Sequence, residues 1–560
     1  MSEHFDLLVR GGTLVDGTGA PRRAGDVGVR DGRIAALGTI SGSADREIDA
    51  TDCVVSPGFI DIHTHYDAQV MWDRMLTISP WHGVTSVVVG NCGFGIAPTR
   101  EAHRELILRT LENVEGMSYD ALRQGVGDDW GFETFPEYLD TVERRGMAIN
   151  FAALLGHTPL RLFVMGEEAT EREATESEVA QMQEITRQAL DAGALGFATS
   201  KSPTHIGYAG RPVPSREASF EEIRALASCL GEFDHGIMQA TVGPGFFFEQ
   251  FAEIVGQNNT PLSWTALLAG MAGPGSHRGF LDRSEKLLAQ GLEVYPQVTC
   301  RPLNFEFQFS APFPFESLSY FKPVSQADRE GKKRIYADEA FREQFRRKPP
   351  GGITGKWEDT VISECPQEPD LNERGVCEVA AERNLDPADL VLDLALASDL
   401  ETRFRMAIFN TDEEAVAELL AHPGVVLGLS DAGAHASQLC DACFSTHLLS
   451  HWTRDKGVLE IEQAVHLLTS RSAEVFGIRD RGRLELGLAA DLAVFDPDRV
   501  GCSPLRRVND LPGGGDRLIA DGVGMRAVVV NGQLIREEDA DAIDAEGPLP
   551  GRVLRKGRAD

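Results

Sequence analysis

The chain is predicted to be an α/β protein, a (β/α)8 TIM barrel carrying a small β-sandwich domain built from both chain ends. Three observations predict it. Short β-like segments rich in Gly, Asp and Pro breakers occur at both ends of the chain and are sparse between them. The middle alternates eight apolar runs with amphipathic or charged helical stretches. Histidines and an aspartate stand at the ends of the first and last runs, where a barrel of this kind builds its site.

The first β-rich end reads FDLLVRGGTLVD, AGDVGVRDGRIAALG and EIDATDCVVSP; the second reads DRGRLELGLAADLAVFDPD and GMRAVVVNGQLI. Residues 1–55 and 483–545 are therefore assigned to the small domain, 56–482 to the barrel and 546–560 to a C-terminal tail. The eight runs are PGFIDIHTH, GVTSVVVGNCG, AINFAALLGH, AGALGFATSK, HGIMQATVG, TPLSWTALLAG, GLEVYPQVT and GVVLGLSDAG, with helical stretches such as ATESEVAQMQEITRQALDAG between many of them.

The first run ends in PGFIDIHTHYD. His63 and His65 are two apart, so strand alternation puts both imidazoles on one face. Facing the barrel mouth, they suit zinc or a related divalent ion. The second run ends in VVVGNCGFG, where the Cys92 thiolate is either a further metal ligand or an ordinary buried cysteine. The third run leads to His157 and the fourth to Lys201 and His205, all at the predicted mouth. Lys201 is open to three readings: a carboxylated ligand, a grip on an anionic substrate, or a solvated lysine. His157 and His205 are candidates to line the substrate site.

More than a hundred residues separate the seventh run from the eighth, opening with RPLNFEFQFSAPFPFESLSYFKP. Residues 301–390 are read as an insertion that is a lid, a subdomain packing its own core, or both. Arg301 is a candidate for a substrate carboxylate, with a structural cap or surface charge as the alternative. Phe305 and Phe307 are candidates to bury an apolar acyl or aryl group. The eighth run ends in GLSDAGAH, whose Asp431 would face His63 and His65, ligate the metal and carry a proton. Asp-Ala-Gly also suits a turn or a helix N-cap. Cys440 and Cys443 lack a second pair that would complete a zinc site, and His447 and His451 lack the glutamate of HExxH, so both pairs read as packing or surface residues.

Composition narrows the partners. A net charge of −32 argues against nucleic acid and against an anionic membrane surface, leaving a small-molecule substrate. No apolar run is long enough to span a bilayer, and the N-terminus lacks the layout of a secretory signal, so a cytoplasmic protein is expected. The nine scattered cysteines are expected to be reduced. Exposed barrel helices leave a homo-oligomer open.

PGFIDIHTHYDAQ, HGVTSVVVGNCGFGIAP, DAGALGFATS, GLSDAGAH and DRGRLELGLAADLAVFDPD together resemble the amidohydrolase superfamily, in particular its D-aminoacylase-like (N-acyl-D-amino-acid deacylase) branch. The resemblance spans nearly the whole chain. It implies a zinc-centred deacylase with one or two ions, in which His63, His65, Cys92 and Asp431 surround the metal and the long segment before the last strand is a mobile lid. The chain departs from that pattern at two places. Thr241 in the fifth run and Ala266 in the sixth stand where the resemblance expects metal-binding histidines. The ion then rests on His63, His65 and Asp431 alone, or Lys201 and His205 compensate.

These readings lead to metal-dependent hydrolysis, by activated water, of an amide or other C–N bond in a small N-acylated substrate, D-amino acid derivatives included. Two alternatives stay open. One is a non-hydrolytic step (cyclisation, dehydration or decarboxylation) on the same barrel with a reduced metal site. The other is a non-catalytic binding relative.

Overall fold

The eight apolar runs form eight parallel strands that pair in chain order. They are β1 (Phe59–Asp61), β2 (Val84–Val89), β3 (Asn150–Gly156), β4 (Gly196–Ser200), β5 (Ile237–Thr241), β6 (Leu262–Thr265), β7 (Val294–Val298) and β8 (Val426–Leu427). Apart from Tyr295 every strand residue is buried, as parallel strands covered on both faces must be. The computed structural model describes residues 3–315, 318–347 and 356–559, so part of the predicted 301–390 insertion and Asp560 of the tail lie outside the described residues.

The sheet curls until its ends meet. Beyond β1 and β8, Thr64 and Ala432 form a parallel bridge, and the His65 amide donates to the Ala432 carbonyl at 2.7 Å. The result is a TIM-like barrel. Helices cross over between most successive strands, among them Glu176–Ala192 between β3 and β4 and Phe220–Ser228 between β4 and β5. Thr175 and Glu178 form a capping box at the first of these, satisfying amides that the helix start leaves open.

The β1–β2 connection differs from the expected alternation, having only the short 3-10 turns Gln69–Met71 and Ser79–His82. It is largely buried, so its backbone needs partners away from water. Asp73 supplies them, accepting from the amides of Met75 and Thr77 at 3.0 and 2.9 Å.

Both chain ends enter one nine-stranded mixed sheet, joined where Leu492–Phe495 runs antiparallel to Val54–Pro57. Its core includes Leu7, Val29, Leu492 and Val529. The tail is also structural. Val553 bridges to Phe151 on β3, and Leu549, Val553 and Leu554 are buried. Between β7 and β8, strands Leu303–Gln308, Thr360–Glu364, Arg374–Gly375 and Arg403–Phe409 form a separate sheet over a core of its own. No helix among the described residues is long and apolar enough to cross a membrane.

Candidate metal centre

Asp61 ends β1, and His63 and His65 follow it at two-residue spacing, their side chains brought to one point. Opposite them, the turn after β2 brings in Cys92. Ligand atoms of His63, His65 and Cys92 lie within 4.8 Å of one another, all three residues buried. Asp431 completes the group from beyond β8, its Oδ1 at 3.2 Å from His63 Nε2 and 3.7 Å from His65 Nε2. Four residues from the predicted set thus converge at one point, Lys201 not among them.

The local backbone is built for this. Gly90 has φ 83°, and a Cβ there would lie 2.2 Å from the Leu154 carbonyl oxygen, so only glycine fits the turn that presents Cys92. The Cys92 amide donates to Gln239 Oε1 at 2.7 Å. His63 Nδ1 donates to Gln297 Oε1 at 2.7 Å, which leaves its Nε2 facing Cys92 Sγ at 3.5 Å. His65 Nδ1 faces Glu115 Oε1 at 3.1 Å.

Burial opposes every charge in this group, and the neighbours decide the outcome. Burial pushes the Cys92 thiol up, but His63 and His65 outweigh it and bring it down to about 7. Burial likewise disfavours Asp431 as an anion, yet His65, His63 and His435 hold it far below the usual carboxylate range. His65 is raised against burial, chiefly by Glu115. Asp61 has no such counter-charge of comparable strength, and burial lifts it to about 7.

Two imidazoles, a thiol held ready to ionise and a carboxylate are donor chemistry that fits one zinc-like divalent ion. Of the two positions where the resemblance expects histidines, Thr241 ends β5 and accepts a hydrogen bond from the Thr265 hydroxyl at 3.1 Å, and Ala266, just past β6, offers no ligand atom. Asp431 also lines a small pocket of about 30 Å³, together with Tyr66, Gln69, Ile78, Leu439, Asp441 and Arg517.

Of the remaining predicted residues, His205 stays near the centre. Its ring lies 5.0 Å from Phe94, Ser200 Oγ bonds its Nδ1 at 2.7 Å, and burial lowers its pKa to about 3. Phe305 sits at the rim, edge-on to His435 with ring centres 6.0 Å apart. Four others are committed elsewhere, which corrects the expectation for each. Lys201 Nζ donates to the carbonyls of Arg216 and Ala218, because it follows by one residue Ser200, whose Oγ meets His205, and alternation sends it to the other side. His157 is fully buried, bonded to Thr199 and Glu222 through its two nitrogens. Arg301 pairs with Asp441 at 2.6 Å. Phe307 lies in the insertion core against Phe309, Phe315 and Phe404.

Sequence reasoning passed over Glu115, Gln239, Gln297 and His435. His435 was visible as the last residue of GLSDAGAH; the other three carry no local signal, since each meets its partner only through the tertiary fold. Cys443 Sγ donates to the Cys440 carbonyl, and His451 pairs with Glu413 at the surface, in keeping with packing and surface roles.

Residues 46–303 and 372–536 match the amidohydrolase family. A D-aminoacylase of Alcaligenes xylosoxydans xylosoxydans is 31% identical, the alignment covering 100% of this chain and 99% of that protein. An N-acyl-D-glutamate deacylase of the same organism is 29% identical over 99% of this chain and 98% of its own. Among solved structures, a D-aminoacylase described as defining a novel subset of amidohydrolases superposes with a TM-score of 0.68 at 28% identity, covering 98% of this chain and 99% of that one. An N-acyl-D-glutamate deacylase from Bordetella bronchiseptica, complexed with zinc and a phosphonate inhibitor, gives 0.67 at 26% identity, covering 99% and 100%.

Proposed function

Because this chain belongs to the amidohydrolase family, we propose that it hydrolyses the amide, or another C–N bond, of a small N-acylated substrate, with N-acyl-D-amino acids the leading class. The observation that carries this reading is the convergence of His63, His65, Cys92 and Asp431 on one point at the barrel mouth. Those four residues would hold a divalent ion, with zinc favoured by the thiol and imidazole donors. Bound there, the ion supplies Lewis acidity toward a carbonyl and toward water. Asp431 is the proton carrier: it is an anion at neutral pH, its Oδ1 stands at the cluster, and the residue lines the adjoining small pocket. Gln297 and Glu115 orient the two imidazoles, and Phe305 with His435 offers an apolar edge for the acyl group.

The same reading takes residues 301–390 as a lid over the mouth, 56–482 as the barrel, and 1–55 with 483–545 as the small β-sandwich. It also takes the enzyme as cytoplasmic, in keeping with nine free cysteines.

The test is metal content of protein purified without chelators, measured by inductively coupled plasma mass spectrometry beside a His63→Ala variant, followed by an assay on paired N-acyl-D- and N-acyl-L-amino acids. One equivalent of divalent metal that disappears in the variant, with products that have gained the elements of water, is the expected result. Absence of metal from the wild-type protein after zinc is restored would overturn the proposal. Turnover without gain of water would replace hydrolysis by a non-hydrolytic reaction.

A further inference from the structure

We propose that Glu115 is a positioning residue of the metal centre, holding His65 by Nδ1 so that Nε2 faces the point that His63, Cys92 and Asp431 also address. This rests on the metal reading above. Glu115 is the last residue of the helix Arg104–Glu115, followed by Gly116 as a left-handed cap. A carboxylate there meets the negative end of the helix and is disfavoured. It is also buried, which a carboxylate avoids unless paired.

The pairing is with His65. The Nδ1–Oε1 separation is 3.1 Å, and the two side chains are 5% and 7% exposed. By hydrogen-bond geometry neither atom has a partner among the described residues, so the two meet as a close contact of complementary charge, and each is a buried polar atom with that contact to rely on. The ring's other nitrogen is turned toward Asp431 at 3.7 Å. The helix end that delivers the carboxylate is itself wedged at the mouth. Ser437 donates to the Gly116 carbonyl at 3.2 Å, and a Cβ on Gly116 would meet His435 Cα at 3.2 Å.

His63 has a different group in the corresponding place, its Nδ1 donating a hydrogen bond to Gln297. Both imidazoles are thus gripped from behind, one by a neutral amide and one by a carboxylate. An acceptor behind a ligating imidazole fixes its tautomer and raises its basicity, and losing it weakens metal affinity about 10–100-fold. A Glu115 that merely plugs the helix end would affect folding and leave affinity alone.

The experiment uses the full-length chain, wild type and the Glu115→Ala and Glu115→Gln variants, each stripped of metal. Zinc is titrated against a chromophoric chelator, cobalt(II) absorption spectra are recorded, and thermal midpoints of the metal-free proteins are compared. Expected are a zinc affinity about 10–100-fold weaker in Glu115→Ala, a smaller loss in Glu115→Gln, and an altered cobalt spectrum, with the metal-free midpoint of the near-isosteric glutamine variant unchanged. Should the alanine variant fail to fold, the glutamine variant decides by the same readouts. Wild-type affinity and an unchanged cobalt spectrum in the folded variants would overturn the role of Glu115 alone. A wild-type protein that binds neither metal would overturn the metal reading and this inference with it.

Discussion

Ser430 donates a 2.5 Å hydrogen bond to the Asp61 carboxylate, which ties the last barrel strand to the first immediately beside the metal cluster. Asp61 precedes His63 by two residues and Ser430 precedes Asp431 by one, so this bond, with the Asp431 amide donating to the His63 carbonyl at 3.2 Å, helps set the distance between ligands from opposite ends of the barrel sequence. Burial raises the Asp61 pKa to about 7, and Ser430 is the strongest of the contacts that oppose the rise. Ser430→Ala strips a buried carboxyl of a partner and is expected to destabilise the protein by about 1–3 kcal/mol. A thermal midpoint equal to wild type would show that the seam does not depend on this bond.

Asp431 faces both imidazoles and stays ionised at neutral pH, which suits a group that accepts and returns a proton. In Asp431→Asn the three donors His63, His65 and Cys92 remain, so metal content is expected to stay largely intact. The rate is expected to fall by about 10²–10⁴-fold, the usual range for a positioned acid or base. Steady-state kinetics beside elemental analysis separates the two effects, and full activity in the asparagine variant would remove the proton role.

Gly90 is the backbone hinge that aims Cys92. A methyl group there would strike the Leu154 carbonyl at 2.2 Å, in a left-handed conformation that alanine resists. Gly90→Ala is expected to cost at least about 1–3 kcal/mol and to lower zinc stoichiometry. Gly245 is the control, since its φ is 71° but no atom would lie within 4 Å of its added Cβ. Equal effects of the two substitutions would mean that strain, and not crowding at the site, is what Gly90 relieves.

How much of this was legible beforehand follows from the range of each contact. The barrel strands were readable because parallel strands buried on both faces leave unbroken apolar runs. His63 and His65 were readable because two residues of strand separation fix a shared face, and Asp431 because it ends the last run. The pairing of the two chain ends was signalled by similar texture at both. Glu115 and Gln297 were not readable, since 234 residues separate Gln297 from the imidazole it holds. Lys201 misled for a related reason: a strand end sets where a residue begins, and the following loop decides where its long side chain goes. The clustered phenylalanines announced a core of their own, yet nothing in their spacing told which would reach the mouth.

Acid sensitivity is expected to come partly from His82, which lies outside the metal cluster. It is 0% exposed; Nε2 donates to the Ala520 carbonyl at 3.1 Å and Nδ1 shares a hydrogen bond with Thr446 at 2.8 Å. Burial lowers its pKa from 6.5 to about 4. Between those values the unfolded chain binds a proton that the folded chain refuses, so stability rises with pH across this window and is lost as pH falls through it. The full contribution is about 3 kcal/mol, reached near pH 4. Thermal midpoints from pH 7.5 down to about 4 should fall more steeply for wild type than for His82→Gln, which has no proton to gain there. Parallel slopes would assign the acid lability to other groups.

Phe305 and Phe307 share a face of one strand, but two residues of strand length carry them into different surroundings. Phe305 is half-buried at the rim, edge-on to His435, whereas Phe307 is 3% exposed inside the insertion core. Truncation should therefore separate binding from stability. Phe307→Ala is expected to cost about 3–5 kcal/mol, the range for a buried phenylalanine, and to lower the thermal midpoint. Phe305→Ala removes less buried surface and should leave the midpoint closer to wild type. It should raise KM for substrates with bulky apolar acyl groups more than for acetylated ones, because only the larger group reaches the rim. A KM increase independent of acyl size would place the acyl group elsewhere and leave Phe305 as packing for His435.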